Sequence, residues 1–243
     1  MHFRLTIEYD GTDFAGWQIQ PTVRTVQSAL EEALARLLGQ PARVCAAGRT
    51  DAGVHASGQV VCFRTPRPLA PDTILRALNA LTPRDLTVRT VDEVPDDFDA
   101  RRSARSRVYV YHLWNRSMPS PFWRRYAWHI RHLLAVDVMA EAAAMLVGEH
   151  DFSSFRAAGC DAAHPVRRVL RSEIQRSGDL IRYEIEATAF LRHMVRNIVG
   201  TLVDVGQRIR RPDDIRALLA ARDRTRAGIT APAHGLCLTE VKY

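Results

Sequence analysis

Gly48-Arg49-Thr50-Asp51-Ala52-Gly53-Val54-His55-Ala56-Ser57-Gly58 stands between two stretches that read as strands, Arg43–Ala47 and Gln59–Arg64. Two strands in direct succession, with helical patterns before and after them, decide the fold of this half. Upstream, Phe3, Leu5, Ile7 and Tyr9 alternate with Arg4, Thr6 and Glu8, a period-two strand. Val26, Ala29, Leu30, Ala33, Leu34, Leu37 and Leu38 then mark one face of a helix that Thr25 caps and Gly39 ends. Ser28 stands where a capping box would have Glu or Gln. Downstream, Pro71 starts a second helix with Ile74, Leu75, Leu78 and Leu81 apolar, and 86–94 reads as a strand. The order strand, helix, strand, strand, helix, strand is that of the split β-α-β, ferredoxin-like fold.

The second half repeats the order of elements without repeating residues. A strand over 107–114 precedes a loop rich in Pro and aromatics (118–128), and a helix over 136–147 ends at Gly148. The stretches 167–175 and 179–187 form a hairpin around Ser177-Gly178. Helices over 190–205 and 212–221 and a closing strand over 236–241 complete the chain. The expected class is α+β: two ferredoxin-like (RRM-like) halves, residues 1–103 and 104–243. A central, mainly antiparallel sheet would join them, with helices on the outer face and a basic cleft on the other.

The 243 residues contain 34 Lys and Arg against 27 Asp and Glu, a net charge of +7 and a pI near 9.7. Lys242 is the one lysine, so the basic residues are otherwise all arginine. GC-rich coding sequence explains most of that identity bias, and the net charge is the better pointer to a polyanionic partner. Arginines cluster at 101, 102, 105 and 107, at 124 and 125, at 167, 168 and 171, and at 208, 210 and 211. No apolar run reaches the roughly 20 residues of a membrane span, and no signal-peptide core precedes the first strand. Cys45, Cys62, Cys160 and Cys237 are scattered, without a Cys-x-x-Cys pair. These features lead us to expect free thiols in a reduced, cytoplasmic protein with no structural zinc.

The Gly48–Gly58 loop puts a carboxylate, a guanidinium and an imidazole among glycines on a strand-bounded turn, where a rigid scaffold presents chemistry. The plain alternative is a structural turn in which Asp51 caps an amide and Arg49 is solvated. The loop alone leaves both open. Arg196 poses a separate question. Its helix is otherwise almost all apolar (Met194, Val195, Ile198, Val199, Leu202), and an arginine buried there requires a carboxylate partner. A surface position on the helix's polar side is the alternative.

The loop resembles the active-site motif of the TruA family of tRNA pseudouridine synthases, and the resemblance runs through the chain. Glu8-Tyr9-Asp10-Gly11, Gly16-Trp17-Gln18, 94–101, Arg107-Val108-Tyr109-Val110-Tyr111, 148–155, 193–200 and Gly235-Leu236-Cys237-Leu238 match family landmarks in order. The resemblance implies a homodimer without cofactor or metal, acting on tRNA. It implies conversion of uridine to pseudouridine at positions 38, 39 and 40 of the anticodon stem-loop. It makes Asp51 the nucleophile, Tyr109 the ring that stacks on the target uracil, and Arg196 the ion-pair partner of Asp51. Arg49 would enter the stem-loop as the target base leaves, and Leu238, or its neighbour Leu236, would pack by the uracil. Tyr111, two residues along on the same strand face, competes with Tyr109 for its assignment. His55 is read as a hydrogen-bonded loop residue, with Trp17, Asp10 and Gln18 supporting the floor.

The implied chemistry suits these residues. A carboxylate is the nucleophile that a glycosidic carbon calls for. Attack at C1′, removal of the C2′ proton and addition to C6 all remain open. Two other readings compete. A catalytically silent RRM-like RNA-binding module would use the same basic surface without Asp51. A carboxylate-nucleophile hydrolase would need a second carboxylate, and none lies near Asp51 in sequence.

Overall fold

The structure is a computed structural model that describes residues 1–160 and 162–243. Residue 161, within the unpatterned segment 157–164, is therefore outside the described residues. In chain order the elements are β1 (His2–Tyr9), α1 (Val26–Leu38), β2 (Val44–Ala46), β3 (His55–Arg64), α2 (Pro71–Leu81) and β4 (Leu86–Glu93). There follow β5 (Ser106–Asn115), β6 (Trp128–Ile130), α3 (Val136–Ala144), β7 (Gly148–Asp151), β8 (Val166–Ser177) and β9 (Leu180–Ala187). The last are α4 (Met194–Gly206), α5 (Asp214–Ala221) and β10 (Leu236–Lys242). The class is α+β, with mainly antiparallel strands and five α-helices among the described residues.

The chain divides into two compact units, residues 1–105 with 237–243, and residues 106–236. In the first, β4 pairs with β1, β1 with β3, and β3 with β2, all antiparallel. Phe3, Leu5, Ile7 and Tyr9 of β1 are buried as the alternation demands, and Phe3 stacks on Phe63 at 5.5 Å. α1 buries Val26, Leu30, Ala33, Leu34 and Leu38, and α2 buries Ile74 and Leu78. Thr25 and Ser28 close a complete capping box, each side chain bonded to the other's backbone N–H at 3.2 Å. Ser therefore does what Glu or Gln usually does.

β3 is longer than expected, and the reason lies in β10. The three residues of β2 cover one end of β3. At the other end β10 pairs in parallel, Cys237 opposite His55 and Leu238 opposite Ala56. An unpaired strand edge is filled in this way, so residues 55–58 belong to the strand and not to the loop. Pairing with β3 also places 237–243 in the first unit, where the expected division assigned it to 104–243. A second small core forms around Val60, Cys62, Ala47 and Ala100, with Phe98, Val241 and Tyr243 packed against it. Tyr243 Oη donates to Ala100 O at 2.8 Å.

In the second unit β5 pairs with β9, β9 with β8 and β8 with β7, all antiparallel, while β6 runs parallel to β5. β7 was not anticipated, because Gly-Glu-His-Asp has no alternation to read. α3 ends at Ala144, short of the expected 147. α4 begins at Met194 instead of 190 because His193 has φ +58°, a left-handed conformation that no helix interior accepts. Glu184 and Glu186 of β9 are buried and compensated. Arg171 and Arg182 pair with Glu184, Arg171 lies 3.9 Å from Glu186, and Ser106 Oγ donates to Glu186 at 2.6 Å.

Several arginines expected on a phosphate-binding surface thus have structural roles. Arg107 is buried and donates to Thr188 O at 2.8 Å. Arg171 serves the β9 carboxylates, and Arg210 pairs with Asp204 at 3.0 Å. Arg101, Arg102, Arg105, Arg124, Arg125, Arg168, Arg208 and Arg211 remain exposed.

The pairing of β10 makes a simple demand at Gly58. A Cβ there would lie 2.1 Å from Thr239 O, a clash that only backbone movement relieves. Gly58→Ala should therefore cost about 1–3 kcal/mol, read as a lower melting temperature. An unchanged melting temperature would contradict the register.

Candidate active site

The loop that carries Asp51 is fastened at nearly every residue. Gln59, fully buried, donates from Nε2 to Gly48 O at 2.8 Å. The Thr50 side chain meets Tyr9 Oη at 2.8 Å, and its carbonyl accepts from Trp17 N at 3.0 Å. Burial pushes the Tyr9 hydroxyl well above its ordinary range, so this contact is between neutral groups. Asp51 O accepts from Val54 N at 3.1 Å, closing the turn, and Gly53 N reaches Phe14 O at 3.3 Å. Gly16 (φ +91°) lets segment 10–17 lie against the loop: a Cβ there would sit 2.8 Å from Thr50 O and 3.2 Å from the Asp51 carbonyl carbon. The effect of these contacts is to hold the Asp51 backbone in one conformation.

His55 behaves as expected. It is buried, and its Nδ1 accepts from Gly11 N at 3.0 Å. Asp10 Oδ1 approaches the same nitrogen at 3.2 Å. Asp10 also accepts from the backbone and hydroxyl of Thr12, at 3.0 and 2.6 Å. Within the same unit Asp51 is half-buried, Arg49 is exposed and Leu238 is fully buried. Among the described residues no group of three or more His, Cys, Asp or Glu side chains could hold a metal ion. No helix among them is long and apolar enough to cross a membrane.

Tyr109 and Arg196 lie in the second unit. Tyr109, on β5 opposite Ile185, is 8% exposed and meets Phe190 edge-on at 5.1 Å. Arg196 is half-buried on α4, and its Nε donates to Ala231 O at 2.8 Å while Ala231 N donates to Arg196 O at 3.1 Å. Segment 224–232 is in turn tied to α4. Thr230 Oγ1 donates to Asn197 Oδ1 at 2.6 Å, Arg224 reaches the same oxygen at 3.0 Å, and Gly228 N donates to Thr201 Oγ1 at 3.0 Å. Asn197 Nδ2 reaches Phe155 O at 2.8 Å. Sequence reading missed this strap. Its only signal was Asn197 and Thr201, two uncharged polar residues in a mainly apolar helix.

The family model described as tRNA pseudouridine synthase matches residues 5–101 and 142–243. The chain belongs to the tRNA pseudouridine synthase family. A relative from Myxococcus xanthus, tRNA pseudouridine synthase A, is 49% identical over 241 residues, 99% of this chain and 91% of that protein. Relatives of the same name from Syntrophotalea carbinolica and Moorella thermoacetica are 46% and 47% identical, over 99% of this chain and 95% and 98% of theirs. A chain of a Cbf5-Nop10-Gar1 complex aligns over 97% of this chain and 57% of its own at 13% identity, with a TM-score of 0.34. That likeness is too slight to bear on the fold.

The two tyrosines of the family's Arg107–Tyr111 landmark have different surroundings. Tyr111 has no exposed surface, and its hydroxyl donates to Pro232 O at 2.7 Å. Its ring abuts the backbone of Gly235, where a Cβ would lie 2.5 Å from Cζ. Burial raises its pKa, an effect the nearby Arg196 charge offsets only in part. Tyr111 is thus a core residue that anchors the strap. Tyr111→Phe leaves the Pro232 carbonyl without its partner and should cost about 1–3 kcal/mol. For a chain of this size that lowers the melting temperature by several degrees. A change within error would show that the bond contributes nothing.

Proposed function

We propose that this chain isomerises uridine to pseudouridine in tRNA, at positions 38, 39 and 40 of the anticodon stem-loop, with Asp51 as the nucleophile. The observation that carries this reading is the match of 46–49% identity over 99% of the chain to proteins named tRNA pseudouridine synthase A. A carboxylate-bearing loop whose backbone is fastened on both sides supports it, because catalysis gains most from groups that need no rearrangement.

The reaction breaks the N1–C1′ bond, turns the uracil over and joins C5 to C1′. C5 gives up its proton and N1 acquires one, so atoms balance without a redox partner or group donor. Asp51 supplies the carboxylate. Tyr109 stacks on the uracil, since a ring face holds a base without dictating its orientation in the plane. The enclosure of Tyr111 in the core supports Tyr109 in that role. Arg196 is the proposed ion-pair partner of Asp51, and the Ala231 carbonyl fixes its guanidinium at Nε. Arg49, exposed beside Asp51, takes the place of the extruded base, and Leu238 packs by the uracil. In this reading each unit is a ferredoxin-like half; the order β4-β1-β3-β2 in the first supports that description. The active form is a homodimer with a basic cleft for the RNA, it needs no cofactor, and it works in the cytoplasm.

Unmodified tRNA incubated with the wild type and with Asp51→Asn, then mapped by carbodiimide treatment and primer extension, tests the proposal. Pseudouridine should form with the wild type and fall below about a thousandth with the variant, while RNA binding is kept. Product from the variant at the wild-type rate removes Asp51 as nucleophile. Absence of product from both favours a binding module, and release of free uracil favours a hydrolase.

A further inference from the structure

A cavity of about 250 Å³ opens at one end of the second unit, with Trp114, Trp123, Arg124, Trp128, His129 and His234 among its walls. Trp114 pairs with Leu180 of β9, which in turn pairs with Ser177 at the end of β8. The twelve residues of β8 span roughly 40 Å, so the cavity lies at the end of that strand remote from segment 157–164. Three of the chain's four tryptophans meet here, all half-exposed. The fourth, Trp17, is buried in the first unit.

The rings form a prearranged group. Trp123 stacks on Trp114 with 6.0 Å between centroids and 20° between planes. The Arg116 guanidinium lies 4.6 Å over the Trp114 ring. It is held there by Asp179 at 3.4 Å and by Met118 O and Pro119 O at 3.0 and 3.3 Å. His112 meets Trp123 at 5.8 Å. Burial, and after it the Arg182 charge, pushes the His112 pKa down to about 4, so near pH 7 this ring is neutral. Beside the walls Phe122 is 85% exposed and Met118 68%.

The surroundings say what would cover these rings. Residues 101–136 contain no Asp or Glu, and Arg124, Arg125 and Arg131 of that run are exposed. An apolar surface with a cationic rim favours a polyanion that also carries ring faces, which is the chemistry of RNA. Trp114 Nε1 is buried and has no acceptor among the described residues, whereas nucleobase edges carry acceptors. The cavity is smaller than the roughly 300–1,000 Å³ of a site for a drug-sized ligand, and it suits a single heterocycle. It is also distinct from the place assigned to the target uracil. Trp114 stands five residues beyond Tyr109 on β5, so the two side chains leave opposite faces of the sheet, about 17 Å apart along the strand.

We propose that this cavity is a second RNA-contact site, in which an unpaired base of the tRNA stacks on Trp123 and the adjoining phosphate meets Arg124. Every base has a ring face to offer, so the contact tolerates sequence differences between tRNAs. Arginine suits the phosphate because its paired N–H groups match two oxygens at once. The choice of tRNA as ligand rests on the proposed function; a base-stacking site does not require that the chain be catalytic.

Binding of unmodified tRNA is measured over a series of salt concentrations for the wild type, Trp123→Ala, Trp123→Phe and Arg124→Gln, with the melting temperature of each. Loss of one base stack should weaken binding by Trp123→Ala about 5- to 150-fold. The slope of log affinity against log salt should not change in that variant, because no phosphate contact is removed. Trp123→Phe keeps a ring face and should recover most of the affinity. Arg124→Gln alters an exposed side chain and should reduce the slope by about 0.7, the value for one phosphate of a single strand. A folded Trp123→Ala variant with unchanged affinity overturns the site, as does equal weakening by Ala and Phe, or an unchanged slope in Arg124→Gln. Should Trp123→Ala fail to fold, the Phe and Arg124→Gln variants decide. A wild-type dimer that Trp123→Ala converts to a monomer in sedimentation assigns the face to a second copy of the chain and also overturns the RNA site. The same preparations are assayed for pseudouridine. Product formation with unaltered affinities removes this site alone, and altered affinities without product keep the site while the proposed activity falls.

Discussion

The contact between segment 10–17 and the Asp51 loop is the constraint that orders the first unit's candidate site. Two stretches of backbone lie close enough that Gly16 has no room for a side chain, and the Trp17 amide and Thr50 carbonyl are bonded directly. A loop suspended between strands is ordinarily the most mobile part of a sheet. Here Gln59 holds its first residue, Tyr9 its threonine and Phe14 its second glycine. The carboxylate proposed to react thus rides on a backbone ordered without substrate, and ordering it would cost nothing during the reaction.

The second unit solves a similar problem with a strap. α4 is mainly apolar, and most of its polar residues fasten 224–232, while Asp204 pairs with Arg210. Asn197 and Thr201 bond Thr230, Arg224 and Gly228, while the strap returns carbonyls to Arg196 and Tyr111. Arg196 is therefore fixed through Nε by backbone. The stretches 148–155 and 193–200 meet in one hydrogen bond, from Asn197 Nδ2 to Phe155 O.

Much of this was legible in the sequence, and the boundary of legibility has a physical basis. α1 and its cap could be read because period and capping are local: Thr25, seven apolar positions and Gly39 suffice. β1 was legible because only one of its faces is buried. Two features depend on pairing with another strand: β7 exists because β8 offers it an edge, and β10 extends β3 because Gly58 admits it. α4 starts late because His193 turns left-handed, a local conformation that the apolar pattern does not announce. Arg107 read as part of a basic patch, but strand alternation carries it inward to Thr188 O. The identity of Asp51 as the residue of interest came from its motif; how it is held came only from residues 9–17 and 59.

The central claim is that the backbone contact at Gly16 sets Asp51 for chemistry. Single-turnover pseudouridine formation by Gly16→Ala on unmodified tRNA, with RNA affinity measured in parallel, tests it most directly. A displacement of about 1 Å at a reacting group can cost on the order of 100-fold, so the rate should fall by roughly that factor with affinity little changed. A folded Gly16→Ala variant with the wild-type rate would contradict the account.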